Sequence, residues 1–180
     1  MTLGEIYDSV VNLVYGDVNA SPVPLAEIPF IRTLILQKHR EVQRDYNFWF
    51  NRVRTTLDLT AGISTYPLPA EYKEFIKLDC EGECELIGEN LVFLEAPLLD
   101  KTVTFDLWQY IPTPAAWNAA HTDAVTRFCH MAIIYMVTAI VMLKRDEKTQ
   151  AGSYLELGAQ ALESVYAEDY KRRQSPGAVF

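Results

Sequence analysis

The hydrophobic period of this chain changes abruptly at one stretch, and the change limits what it can fold into. Up to about Tyr46, apolar residues recur at helical spacing. Beyond Asn47-Phe48-Trp49-Phe50, Val53, Thr55, Leu57 and Leu59 alternate with Arg54, Thr56 and Asp58, the two-residue period of a half-buried strand. Ala61-Gly62 turns the chain, and Ile63 to Leu68 return toward a proline-flanked knot, Tyr66-Pro67-Leu68-Pro69. A helix therefore ends on three large rings where a sheet begins. Each ring can bury roughly 150–250 Å², so Phe48, Trp49 and Phe50 are expected to join a helical layer to a β layer.

The elements on either side follow from spacing and punctuation. Thr2-Leu3-Gly4-Glu5 has the spacing of a capping box, which starts a first helix at about 2–15 that Gly16 stops. A second helix is expected at about 25–46, with Ile31, Leu34, Ile35, Val42 and Tyr46 as its buried stripe. Arg32, Lys38, Arg40, Glu41, Arg44 and Asp45 read as its solvated face, or as a contact with an acidic neighbour. A β region spans about 52–111, with one helical turn at Ala70 to Lys73 and a long final strand, Thr102 to Ile111, paired on both sides.

A third helix is expected at about 117–145, with Thr122-Asp123 as its cap, and a fourth at about 153–173, followed by a loose tail, 174–180. The third helix is almost wholly apolar from Phe128 to Leu143, but a membrane span needs about 20 such residues. It reads as the central core helix, or as one also buried against another subunit, with more apolar surface than one small domain covers. The fold class expected is thus α+β, mainly α: a four-helix core with a small antiparallel β insert between helices 2 and 3, in one domain of 1–180.

Composition narrows the function. The formal net charge of -8 argues against a sequence-independent DNA binder, which needs a basic face, but leaves room for a protein past which DNA slides. Three cysteines, Cys80, Cys84 and Cys129, are too few for a disulfide framework. The start, Met1 to Glu5, lacks the basic and apolar runs of a secretory leader.

No metal, cofactor or catalytic residue is assigned. Cys80 and Cys84 have no second ligand pair, and His121, Cys129 and His130 fall on another element. Phosphate-binding glycine loops and nucleophile elbows are missing from the sequence. Asp79, Glu81, Glu83 and Glu85 read as a solvated acidic tip, or as one that repels polyanions. Trp108, Tyr110 and Trp117 lack interleaved basic residues for stacking bases. Elimination leaves a non-enzymatic structural or interaction protein.

The order of elements, together with Arg44 to Phe50, the Ala61-Gly62 turn and Tyr66-Pro67-Leu68-Pro69-Ala70-Glu71-Tyr72, resembles the head-to-tail adaptor proteins of tailed bacteriophages, in particular the tail accessory factors of short-tailed phages. The likeness covers about Leu3 to Arg173, and only its central segment is moderately specific. The chain departs from that family in its short β region and its apolar third helix, which leaves the tail type open.

The resemblance implies a virion protein at the portal vertex. Copies would form a ring, usually dodecameric, beneath the portal ring, offer a platform to tail proteins, and extend a channel that DNA crosses without specific binding. It implies no cofactor and no membrane. The family often docks on the portal through its C-terminal segment, here Tyr170, Lys171, Arg172, Arg173, Val179 and Phe180. Two readings compete: a phage-encoded cell-wall hydrolase using Glu71 and Glu74, and a helical regulatory domain.

Overall fold

The computed structural model describes residues 1–16, 22–79 and 84–174. The chain divides into two compact units, one of Met1–Phe48 with Ile111–Phe180 and one of Trp49–Tyr110. The division falls inside the aromatic triplet. Phe48 stacks on Tyr46 with centroids 5.5 Å apart, within the first unit, and Trp49 packs edge-to-face on Phe50 at 5.7 Å, within the second.

The helical unit holds α1 (Leu3–Tyr15), α2 (Glu27–Arg44), α3 (Ala124–Phe128), α4 (His130–Lys144) and α5 (Lys148–Gln174). The other unit holds a 3-10 turn (Trp49–Asn51) and β1 (Arg52–Leu59), β2 (Thr65–Pro67), β3 (Tyr72–Asp79), β4 (Cys84–Ile87), β5 (Asn90–Phe93) and β6 (Lys101–Gln109). The strands form two antiparallel three-stranded sheets, ordered β1-β6-β3 and β2-β5-β4.

This corrects the expected fold class. In place of four helices and a small β insert, the described residues make five α-helices and two separate sheets. Local chemistry explains each difference. The Asp123 carboxylate accepts from the Thr126 N–H, and the Thr126 hydroxyl accepts from the Asp123 N–H, so the helix starts at Ala124 and residues 117–122 stay outside it. At Cys129 the backbone takes φ -102° and ψ 9°, which separates α3 from α4. The turn expected at Ala70 to Lys73 is not helical, because Glu71 sits at φ 63° and β3 begins directly after it.

Elsewhere the punctuation is realised. Thr2 and Glu5 form the capping box of α1, and Gly16 ends it at φ 71°. β6 is the central strand of its sheet, between β1 and β3. Leu59, Tyr66, Leu91, Phe93 and Val103 form a core drawn from both sheets, with Tyr66 edge-on to Phe93 at 5.9 Å. Tyr66 also fastens the β1–β2 turn, its hydroxyl accepting from the Thr60 N–H at 2.8 Å and lying 3.0 Å from the Ile63 carbonyl.

The largest correction concerns the apolar helix. α4 packs against α1, α2 and α5, which bury Ala132, Ile133, Ile134, Val137, Thr138, Ala139, Val141 and Met142. Only Met131 and Leu143, near its ends, are exposed hydrophobics. Most of the apolar surface expected to be surplus is covered within the helical unit, with Tyr135, Met136 and Ile140 left partly exposed. Among the described residues, no helix is long and apolar enough to cross a membrane.

Candidate functional site

The densest polar constellation of the helical unit forms where the segment returning from the strands, Ile111 to Asp123, crosses α2. It is built from α2 outward. His39 and Gln43 are spaced four residues apart, hence on one helical face, and both are fully buried. The Gln43 amide brackets Ile111, accepting its N–H at 2.8 Å and donating to its carbonyl at 3.1 Å. One turn earlier, Nδ1 of His39 lies 3.0 Å from the Thr113 hydroxyl, and Nε2 lies 2.8 Å from Oδ2 of Asp123.

The rest of the segment is pinned along its length. Arg32 places its guanidinium 5.3 Å from the centroid of Trp117 and 5.5 Å from that of Tyr7. The first N–H groups of α1, which have no intrahelical partner, are taken by this segment: Leu3 donates to the His121 carbonyl at 3.0 Å and Gly4 to that of Ala119 at 2.9 Å. His121 is thereby held with its Nε2 also 2.8 Å from Oδ2 of Asp123.

Two imidazoles thus converge on one carboxylate oxygen, while the other oxygen of Asp123 caps α3. Burial pushes Asp123 toward the neutral acid. Hydrogen bonds from His39, from the Thr126 N–H and from His121 outweigh it and hold the carboxyl well below the usual carboxylate range. Close by, burial and the Asp123 charge push the Cys129 thiol up to about 12. A thiol so held is not a nucleophile at neutral pH. Among the described residues, His39, His121 and Asp123 could hold a metal, their ligand atoms all lying within 4.8 Å of one another.

Sequence reasoning did not find this cluster. His39 falls in a stripe of α2 that reads as apolar, and His121 falls in the expected third helix, far from His39 in sequence. The findable signal was Asp123, whose role as a cap is correct.

The remaining candidates lie apart. Cys129 is buried at the α3–α4 break, and the His130 ring lies 2.9 Å from the Arg127 carbonyl. Cys84 packs against the two-sheet core, while Cys80, Glu81 and Glu83 lie outside the described residues, and with them the proposed Cys80–Cys84 pair and most of the acidic tip. Trp117 and Tyr110, which in sequence lack basic neighbours, each receive a cation from afar, Arg32 and Lys73 respectively.

Glu71 and Glu74, the hydrolase candidates, are both exposed. A recess of about 200 Å³ is lined by Leu68, Pro69, Glu71, Tyr72 and Glu89, and Glu74 is not part of it. That is smaller than the roughly 300 Å³ at which ligand pockets usually begin. Of the residues expected at the portal, Tyr170 and Lys171 are exposed on the last turns of α5, and Arg172 and Arg173 continue that helix. Val179 and Phe180 lie outside the described residues.

One group of exposed apolar side chains lies on two neighbouring loops of the strand unit. The loop between β5 and β6 presents Leu94, Leu98 and Leu99, with Leu98 92% exposed. The β1–β2 turn adds exposed Ile63 beside it, since the Gly62 N–H donates to the Pro97 carbonyl at 2.8 Å and the Ala61 N–H to Asp100 at 2.8 Å. No protein-family model matches the chain, and no curated protein matches it.

Proposed function

We propose that the chain is a structural connector of a phage virion, one copy in a ring that joins the capsid portal to the tail and lengthens the DNA channel. The observation that carries this reading is the apolar tip formed by Ile63, Leu94, Leu98 and Leu99. Adjacent exposed leucines on a loop cost solubility in a lone copy and are the usual mark of a protein–protein contact. A heterologous contact repeated around a closing rotation yields a ring.

Two further features support it. The turn at Gly62 and the strand carrying Tyr66-Pro67 follow α2 and β1 in the order the resemblance requires, and long helices follow the strands. The net charge of -8 disfavours adhesion of DNA to the channel wall. The partners are then the portal ring, tail proteins and copies of the same chain, and the location is the neck of the virion.

The test mixes purified protein with portal rings and examines the product by electron microscopy. A stacked cyclic particle is expected, and wild-type protein that adds nothing to the portal sinks the reading. The double variant Leu98→Asp with Leu99→Asp should keep its circular dichroism and lose assembly. Removing Ser175 to Phe180 separately tests the C-terminal docking segment, with reduced capture by portal expected.

A further inference from the structure

We propose that His39, His121 and Asp123 form a binding site for one divalent transition-metal cation, zinc in preference to magnesium or calcium. The site lies within the helical unit and is independent of the ring reading.

The donors already converge. Nε2 of His39 and Nε2 of His121 each lie 2.8 Å from Oδ2 of Asp123, and the three ligand atoms all fall within 4.8 Å of one another. A tetrahedral zinc ion bound at about 2.0–2.1 Å needs donors roughly 3.3 Å apart. Small side-chain movements reach that spacing. Two imidazoles with one carboxylate suit zinc and its transition-metal neighbours, whereas magnesium and calcium call for oxygen ligands throughout.

The outer shell is also in place. A ligating histidine ordinarily has its second ring nitrogen held by a hydrogen bond. Nδ1 of His39 is held by the Thr113 hydroxyl at 3.0 Å, and Oδ1 of Asp123 by the Thr126 N–H at 2.8 Å. With the ring proton on Nε2, His39 donates to Asp123 and accepts at Nδ1 from Thr113. With metal on Nε2, the proton sits on Nδ1 and the Thr113 hydroxyl turns from donor to acceptor. A hydroxyl can donate or accept, so Thr113 serves both states.

The geometry also sets access. His39 is fully buried, but the His121 side chain is 26% exposed, so an ion enters from the His121 side. Three protein ligands leave one coordination position for water on that side. Cys129 is not among the residues whose ligand atoms converge here, so no sulfur ligand is expected.

The experiment uses the full chain without an affinity tag, stripped with a chelator and desalted. Cobalt(II) is added as a visible probe and then displaced by zinc. One equivalent of cobalt is expected to give the d–d bands of a four-coordinate ion without a thiolate charge-transfer band, and zinc to abolish them. Magnesium should not compete. His121→Ala leaves the α3 cap untouched and should weaken binding at least tenfold with unchanged circular dichroism. Thr113→Val, which removes only the outer hydrogen bond, should weaken it by about 10-fold or more. Wild-type protein that binds no stoichiometric cobalt, or His121→Ala that binds as tightly, overturns the proposal and leaves the cluster as a hydrogen-bonded fastener.

Discussion

Nε2 of His39 lies 2.8 Å from Oδ2 of Asp123, a contact that spans 84 residues of sequence and ties α2 to the start of α3. One carboxylate therefore does two things, capping a helix with one oxygen and satisfying buried imidazole with the other. Asp123→Ala should destabilise by about 2–4 kcal/mol, the sum of a lost cap and a buried donor left without its acceptor. Asp123→Asn should cost less, since its amide still caps α3 and can hydrogen-bond both rings. Urea unfolding of the two variants at neutral pH measures the order. The sign with pH follows from the depressed carboxyl: its contribution is complete above the ordinary value of 3.8 and disappears as pH falls through the lower folded value.

Asp106 carries a second such dependence. On β6 it faces its register partner Arg54 on β1, which grips it at 2.8 Å and 3.2 Å, and Arg52 reaches it at 2.7 Å. Hydrogen bonds from Arg54 and then Arg52 lower its pKa to about 2, against the opposing effect of burial. Stability from this group is present above 3.8 and lost as pH falls toward about 2. Asp106→Asn should be the less stable protein at pH 7, where it leaves two guanidiniums side by side. The gap to wild type should close on acidification across that window. Arg54 is two-thirds exposed, so added salt should narrow the gap too. A gap that stays constant from neutral to acid pH would refute the assignment.

What could be read in the sequence was whatever local chemistry decides. Thr2 and Glu5 cap a helix three residues apart, Gly62 takes the φ of 80° that a tight turn needs, and the alternation of Val103, Phe105 and Leu107 marks a strand paired on both sides. Long-range pairing was not legible. His39 gains its meaning from Thr113 and Asp123, and Gln43 from Ile111, far away in sequence. An all-apolar helix such as α4 has no periodic face to say which neighbours cover it, so its enclosure by α1, α2 and α5 could not be separated from burial against another subunit. The apolar tip needed two loops brought together by distant partners, Gly62 with Pro97 and Ala61 with Asp100, and by the strand pairs that flank them.

Among the described residues, two side chains occupy backbone conformations that favour glycine. Glu71 has φ 63°, and Asp146 has φ 64° just past the end of α4. Around Asp146 the Glu147 N–H donates to the Met142 carbonyl at 3.0 Å and the Asp146 N–H to that of Leu143 at 3.1 Å, the bond pair of a Schellman motif. A left-handed residue with a Cβ costs roughly 1–2 kcal/mol, less for aspartate than for glutamate. Glycine recovers that strain and gives part of it back through a freer unfolded chain. Glu71→Gly and Asp146→Gly should each raise Tm by about 1–4 °C, with the larger gain at Glu71. A lower Tm for Glu71→Gly would mean that its side chain contributes contacts exceeding the strain.

Gly4 and Gly158 offer a matched pair in which the neighbour alone decides the outcome. A Cβ added at either would meet an atom at 3.0 Å. At Gly158, on α5, that atom is Cγ of Met136 on α4. An unbranched methionine can swing aside, and alanine is the better helix former by about 1 kcal/mol. At Gly4 the atom is the Ala119 carbonyl oxygen, whose partner is the Gly4 N–H itself at 2.9 Å. That carbonyl sits two residues before His121, in a segment pinned by α1, and cannot retreat without breaking the bond. Gly158→Ala should therefore be neutral or slightly stabilising. Gly4→Ala should lose about 1–3 kcal/mol, the usual cost of overpacking, and should disturb the His121 imidazole resonances that Gly158→Ala leaves alone. Chemical denaturation with histidine-resolved NMR reads both, and equal effects from the two substitutions would show that the Ala119 backbone yields as readily as the Met136 side chain.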